Sequence, residues 1–232
     1  DAIVYPRNNG QYFKFQNFRE THCNYYAVLG MLAKVYWMQG DMDNAAKYAQ
    51  MVIDSKKFPL VEPNEVQNVF AGKLSDRETL WGLYSTSYLQ TVKSYLYTFQ
   101  SFHSFNPYTD ESGVSHPMPY DKVYAQDIDA TSQDFRLRWF KKGNQTVNLY
   151  KTVDIYTLDE REMAPKDWKD RIDGINILHV SELYLIAAEA LLDKNYDKAL
   201  EYFQAETSSR GLPALRAGKT LTKEMIFNEY HK

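Results

Sequence analysis

The chain has a single cysteine, Cys23, in 232 residues. One thiol excludes an internal disulfide and a cysteine-built metal site. Cys23 sits where a helix is expected to start, beside Tyr25 and Tyr26, and reads as a small half-buried residue rather than a reactive thiol. The five histidines, His22, His103, His116, His179 and His231, show no ligand spacing such as H-E-x-x-H, so no metal centre is expected. There is no glycine-rich phosphate loop, and Ser85 and Ser87 lie in no nucleophile-elbow context. No apolar run approaches the roughly 20 residues of a membrane span, and the opening DAIVYPRNNGQY lacks the charged and apolar blocks of a signal peptide. A net charge of −3, with Lys and Arg spread along the chain in ones and twos, leaves no electrostatic footprint for nucleic acid. The acidic group Asp159, Glu160 and Glu162 is mixed with Arg161 and Lys166. Glycosidase chemistry needs two carboxyls held across a cleft with one pKa raised, so this group reads as a solvated loop. Neither a cofactor nor catalysis is expected.

What the chain does have is tyrosine, 19 residues, with 12 Phe and 4 Trp, and two helix pairs. In residues 24–53, Tyr25, Leu29, Leu32 and Tyr36 recur at helical spacing, with Thr21 available as the cap. Gly40 is placed as a left-handed terminator and Asp41 as the cap of a second helix. That helix turns Met42, Ala45, Ala49 and Val52 inward and Asp43, Asn44 and Lys47 outward. So short a turn makes the pair antiparallel, and the alanines allow close approach. Residues 181–203 repeat the plan: Leu183, Ile186 or Ala187, and Ala190 form the first stripe, Asn195 takes the place of Asp41, and Ala199 that of Ala45. The pattern is that of a tetratricopeptide hairpin. Two copies half a chain apart are no tandem array, so they should pack within one helical scaffold carrying a long insertion. The fold class expected is mainly α, with tetratricopeptide-like helical hairpins and a loop- and short-strand-containing insertion.

Along the chain, residues 1–20 read as an extended lead-in and 66–70 as a short helix. Residues 78–84 (ETLWGLY) read as a buried strand or core segment, with Trp81 and Tyr84 in the core. Tyr95, Tyr97 and Phe99 alternate as on a strand. Residues 102–121 are irregular, rich in aromatics and proline, and so long an irregular segment is a functional candidate. Residues 127–138 read as polar and turn-rich. Residues 139–156 alternate as strands, with KKGN at 141–144 as a hairpin turn, and 159–174 as a charged loop. Arg210-Gly211-Leu212-Pro213 stops the second hairpin. Thr222 can cap a last helix whose Met225, Ile226 and Tyr230 are cut short by the chain end, as in a truncated chain.

Tyr97, Phe102, Phe105, Tyr108 and Tyr120 flank chain breakers and polar neighbours. They serve either as a ligand platform or as loop packing. A sugar ring has an apolar C–H face and a polar rim, so flat rings with Asn106 and Asp110 at the rim would bind one without reacting.

The first hairpin, with Gly40-Asp41 and the run Ala45 to Ala49, resembles the SusD/RagB family of outer-membrane nutrient-binding lipoproteins. So do the acidic, alanine-rich block SELYLIAAEA beginning at Ser181, the Arg210-Gly211-Leu212 ending, the segment Asp134-Phe135-Arg136 and the start of a closing helix from Leu221. The resemblance implies one SusD-like domain over 1–232, with a first hairpin at 18–58, an insertion bearing the ligand loops at 59–176, and a second hairpin with the start of the closing helix at 177–232. It implies a fragment of a longer protein, lacking both ends. It further implies a non-catalytic protein that captures starch-like or other oligo- or polysaccharides at the bacterial outer surface and passes them to a SusC-like TonB-dependent transporter. Membrane association would run only through a lipid anchor outside this chain, since no lipobox precedes Cys23. The alternative from another class is a tetratricopeptide-type scaffold that grips peptides or protein partners.

Overall fold

The computed structural model describes residues 21–63, 77–85, 104–105, 108–109, 111–116, 134–136, 140–142, 147–149 and 174–232. The expectations for the lead-in, the helix at 66–70, the strand at 95–99, the turn at 143–144 and the charged loop through 173 lie outside them.

Helix α1 (Tyr25–Met38) starts at Asn24, not Thr21. The Asn24 carboxamide oxygen accepts from the Tyr26 and Ala27 amides at 2.9 and 3.1 Å, and its nitrogen donates to the Leu80 carbonyl at 3.0 Å. One buried side chain thus caps the helix and ties it to a strand 56 residues away. Asn24→Ala should cost about 2 kcal/mol, a lost cap plus an orphaned buried carbonyl, read as a lower urea midpoint.

The inward face of α1 is rotated from the expected stripe. Ala27, Leu29, Gly30 and Ala33 are buried, Leu32 and Tyr36 are half-buried, and Tyr25 is 61% exposed. The reason is packing on two sides at once, against a second helix and against a sheet, which favours the small residues. A Cβ on Gly30 would lie 2.8 Å from Leu178 and 3.1 Å from Leu80, so glycine sets how closely α1 approaches the sheet. Cys23, one residue before the cap, is exposed rather than half-buried.

Gly40 has φ +79°, and the bonds from the Gly40 amide to the Trp37 carbonyl and from the Asp41 amide to the Tyr36 carbonyl close a Schellman turn. Asp41 then caps α2 (Met42–Ile53) by accepting from the Asn44 amide at 3.1 Å. Helix α3 (Val180–Leu191) follows from the second hairpin. It packs against α1, α2 and its own partner α4 (Tyr196–Ser209), and is buried on most of its surface. The hairpins therefore nest in the order α1, α2, α3, α4, with Lys34 paired to Glu182 at 2.6 Å and Lys194 to Asp43 across the junction. The last helix, α5 (Lys223–Tyr230), is capped by Thr222 as expected. It is better anchored than its length suggests. Ile226 is fully buried, Tyr230 stacks on Trp37 at 5.2 Å, and the Tyr230 hydroxyl donates to the Glu182 carbonyl.

Between the hairpins lie short strands. β1 (Thr79–Tyr84) pairs antiparallel with β7 (Gly174–His179), from Thr79 opposite His179 to Tyr84 opposite Gly174. β2 (Ser104–Phe105), β6 (Val147–Leu149) and β5 (Phe140–Lys142) form a three-stranded sheet in that order. β3 (Tyr108–Thr109) and β4 (Ser115–His116) form a separate pair. The expected strands in 139–156 are present, although Lys141 and Lys142, expected in the turn, belong to β5, and the segment at 102–121 holds this small hairpin. Strand β7 was not anticipated, because its residues precede the helix directly and alternate only weakly.

Candidate functional site

Strands β1 and β7 form a two-stranded stalk at whose end Tyr84 and Gly174 face each other, with 89 residues of chain between them. Within that stretch Asp134-Phe135-Arg136 packs back onto α4 and α5. Leu80 and Leu178 turn inward onto the helices, while Leu83, Tyr84, Ile175 and Ile177 are exposed at or near the stalk's outer end. The expected core position of Tyr84 is thus corrected: it is 59% exposed, because the stalk has already left the scaffold there. Trp81 is half-buried against the core, as expected.

Of the aromatic platform, Phe105 ends β2 opposite Val147, and Tyr108 opens β3 opposite His116. The two residues therefore sit on strands consecutive in the chain, one in the three-stranded sheet and one in the small hairpin, with two residues between them. Tyr97, Phe102, Asn106, Asp110 and Tyr120 lie outside the described residues. Among the described residues no three His, Cys, Asp or Glu side chains are grouped to hold a metal ion, and no helix is long and apolar enough to cross a membrane.

The base of the stalk is held by buried charge. Arg210, the C-cap of α4, makes a two-bond fork to Glu78 just before β1, at 2.9 and 3.0 Å, and donates to Glu206 at 2.8 Å. Glu78 also accepts from the Val61 amide at 2.9 Å. Burial pushes the Glu78 carboxyl up, but the Arg210 guanidinium and the hydrogen bonds outweigh it and hold the group below the ordinary carboxylate value. Next to this, the Phe135 amide donates to the Arg210 carbonyl, and Arg136 is gripped by Asp134 at 2.6 and 2.9 Å. Arg136 also meets Glu229 of α5 at 2.5 Å. Burial works against both guanidinium charges, yet the surrounding carboxylates keep both firmly protonated.

None of these buried acids was anticipated from the sequence, although a signal existed. On α4 the inward positions Ala199, Tyr202 and Phe203 lead at helical spacing to Glu206 and Arg210, and on α5 Ile226 leads to Glu229. A charge on an apolar stripe, with an opposite charge on another, marks a buried pair.

The sequence matches no protein-family model and no curated protein. Solved structures do match. A SusD-like carbohydrate binding protein from Bacteroides vulgatus superposes with a TM-score of 0.60 at 17% identity, over 91% of this chain and 43% of that one. The chain has the SusD-like fold. A putative sugar binding protein from Bacteroides vulgatus gives a TM-score of 0.59 at 18% identity over 90% and 44% of the two chains. A SusD superfamily protein from Parabacteroides distasonis gives 0.58 at 15% over 92% and 49%. The chain spans less than half the length of these SusD-like structures. The expected helical class and the nesting of the two hairpins are both met.

Proposed function

We propose that this chain is part of a non-catalytic glycan-binding protein of the SusD/RagB type. It would capture oligo- or polysaccharides at the bacterial outer surface and hand them to a TonB-dependent transporter, with the full-length protein held by a lipid anchor. The observation that carries this reading is the shared fold along 91% of the chain with a protein described as carbohydrate binding. The stalk gives it a physical form. A base held by buried salt bridges stands at the root of an aromatic-rich excursion, and such a run of rings suits a surface that stacks on sugars. Tyr97, Phe102, Phe105, Tyr108 and Tyr120 would supply the rings, and Asn106 and Asp110 the polar rim.

The test is a glycan array followed by calorimetry on the hits, with the wild-type chain and Tyr108→Ala. Loss of one stacking ring should weaken binding about tenfold, on the order of 1.4 kcal/mol, while the unfolding midpoint stays put. Binding of peptides in place of any carbohydrate would transfer the reading to a peptide-gripping scaffold, and release of reducing sugar would make the protein an enzyme.

A further inference from the structure

Two buried carboxyl oxygens in the cluster at the stalk's base receive no hydrogen bond: Glu206 Oε2 and Glu229 Oε1. The second touches Arg136 as an ion pair at 2.5 Å without a well-directed bond. Glu206 Oε1 is occupied by Arg210 at 2.8 Å, and Glu229 Oε2 by Lys232 at 3.1 Å. Both glutamates are almost wholly out of solvent. Among the described residues the cluster holds four carboxyls, Glu78, Asp134, Glu206 and Glu229, against three permanent cations, Arg136, Arg210 and Lys232, with His179 acting on Glu78. Burying an unmatched carboxylate is costly, and protonation relieves it.

We propose that Glu206 carries a proton at neutral pH and that this proton latches the stalk and the Asp134-Phe135-Arg136 segment to the helical scaffold. The groups that face Glu206 are Arg210 from its own helix, Arg136 from the 134–136 segment and Glu229 from α5, with Glu78 joined through Arg210. Desolvation and Glu229 push the Glu206 carboxyl up, Arg210 and Arg136 pull it down, and the balance lies at about 7. Glu229 goes the other way: burial raises it, but Arg136 and Lys232 outweigh that and hold it ionised. One glutamate is therefore the acid and the other the carboxylate. This device does not depend on which ligand the protein binds.

The sign follows from linkage. Between the ordinary carboxyl value and about 7 the folded chain keeps a proton that the unfolded chain releases, so the Glu206 contribution is complete only below the ordinary carboxyl value, falls across mild acid and is gone once pH has passed about 7. Glu78 and Glu229 act oppositely, with a contribution present above the ordinary carboxyl value and lost below it. Taken together, these groups place the stability maximum near the ordinary carboxyl value, with a fall from there toward pH 7.

The experiment measures the folding equilibrium by urea titration from pH 6 to pH 8 for the wild-type chain and Glu206→Gln. A glutamine keeps the oxygen for Arg210 and supplies a fixed donor in place of the proton. The wild-type folding constant should fall about tenfold over this range relative to the variant's. Protection of the Phe135 and Val61 amides against hydrogen exchange should fall with it in the wild type alone. His179 acts on Glu78 and, as a histidine, can change charge near neutrality, but it is common to both proteins and cancels in the difference. Equal pH slopes in the two proteins overturn the proposal. If the variant fails to fold, the carboxyl carbon of Glu206 is followed by NMR in the wild type: titration near neutrality supports the latch, and an ionised group down to pH 5 overturns it.

Discussion

Arg210→Ala should destabilise the chain by about 3–5 kcal/mol, the cost of leaving buried carboxylates without their cation. The side chain is almost wholly buried and satisfies both oxygens of Glu78 and one of Glu206, so its removal strands the Glu78 charge at the entry to β1 and takes the donor from Glu206 at the end of α4. Arg210→Lys should recover only part of the loss, because an ammonium cannot make the two-bond fork to Glu78. The defect should shrink toward pH 5, where the orphaned carboxyls can take up protons. Urea denaturation at pH 5 and pH 7.5 measures both effects. A loss under 1 kcal/mol at pH 7.5 would mean that solvent reaches the cluster and that the stalk is held by its apolar contacts alone.

Gly211→Ala is the second large effect, at about 3 kcal/mol. Gly211 follows the C-cap of α4 at φ +85° and closes a Schellman turn, its amide bonded to the Ser208 carbonyl and the Leu212 amide to that of Thr207. A left-handed backbone costs an alanine about 1–2 kcal/mol. The new Cβ would also stand 2.7 Å from the Phe135 ring, which can retreat only by pulling on the Phe135 amide bond to Arg210. Overpacking of this kind adds roughly 1–3 kcal/mol. The two causes separate in a double-mutant cycle: in a Phe135→Ala background the glycine substitution should cost only the backbone part. Full additivity of the two substitutions would show that the ring is not what glycine accommodates.

Arg210-Gly211-Leu212 was legible as a helix stop and Asp134-Phe135-Arg136 as a family-like segment, yet nothing local joins them. Their contact is made by a ring lying over a glycine and by one backbone hydrogen bond across 75 residues of chain. The caps at Asp41, Asn195 and Thr222 were readable because a cap is a bond between residues three apart. At the start of α1 the same rule chose Thr21, and Asn24 took the place because its carboxamide could also reach Leu80, which no local pattern reveals. The rotation of α1 has the same origin: its inward face answers to the β1–β7 pair as well as to α2. For the candidate ligand site, composition located the aromatic excursion, and the structure adds the β1–β7 pair that flanks it and the strand positions of Phe105, opposite Val147, and Tyr108, opposite His116.

The sequence by itself determined the two helical hairpins, their turns and caps, and the position of the aromatic excursion between them, because periodicity, left-handed glycine and Asx capping act within a few residues. Only the tertiary structure decided that the excursion begins and ends at one two-stranded stalk and that Glu78, Arg136, Glu206, Arg210 and Glu229 meet beneath it. Burial of charge is a property of what surrounds a group, and partners here lie up to 132 residues apart in the chain.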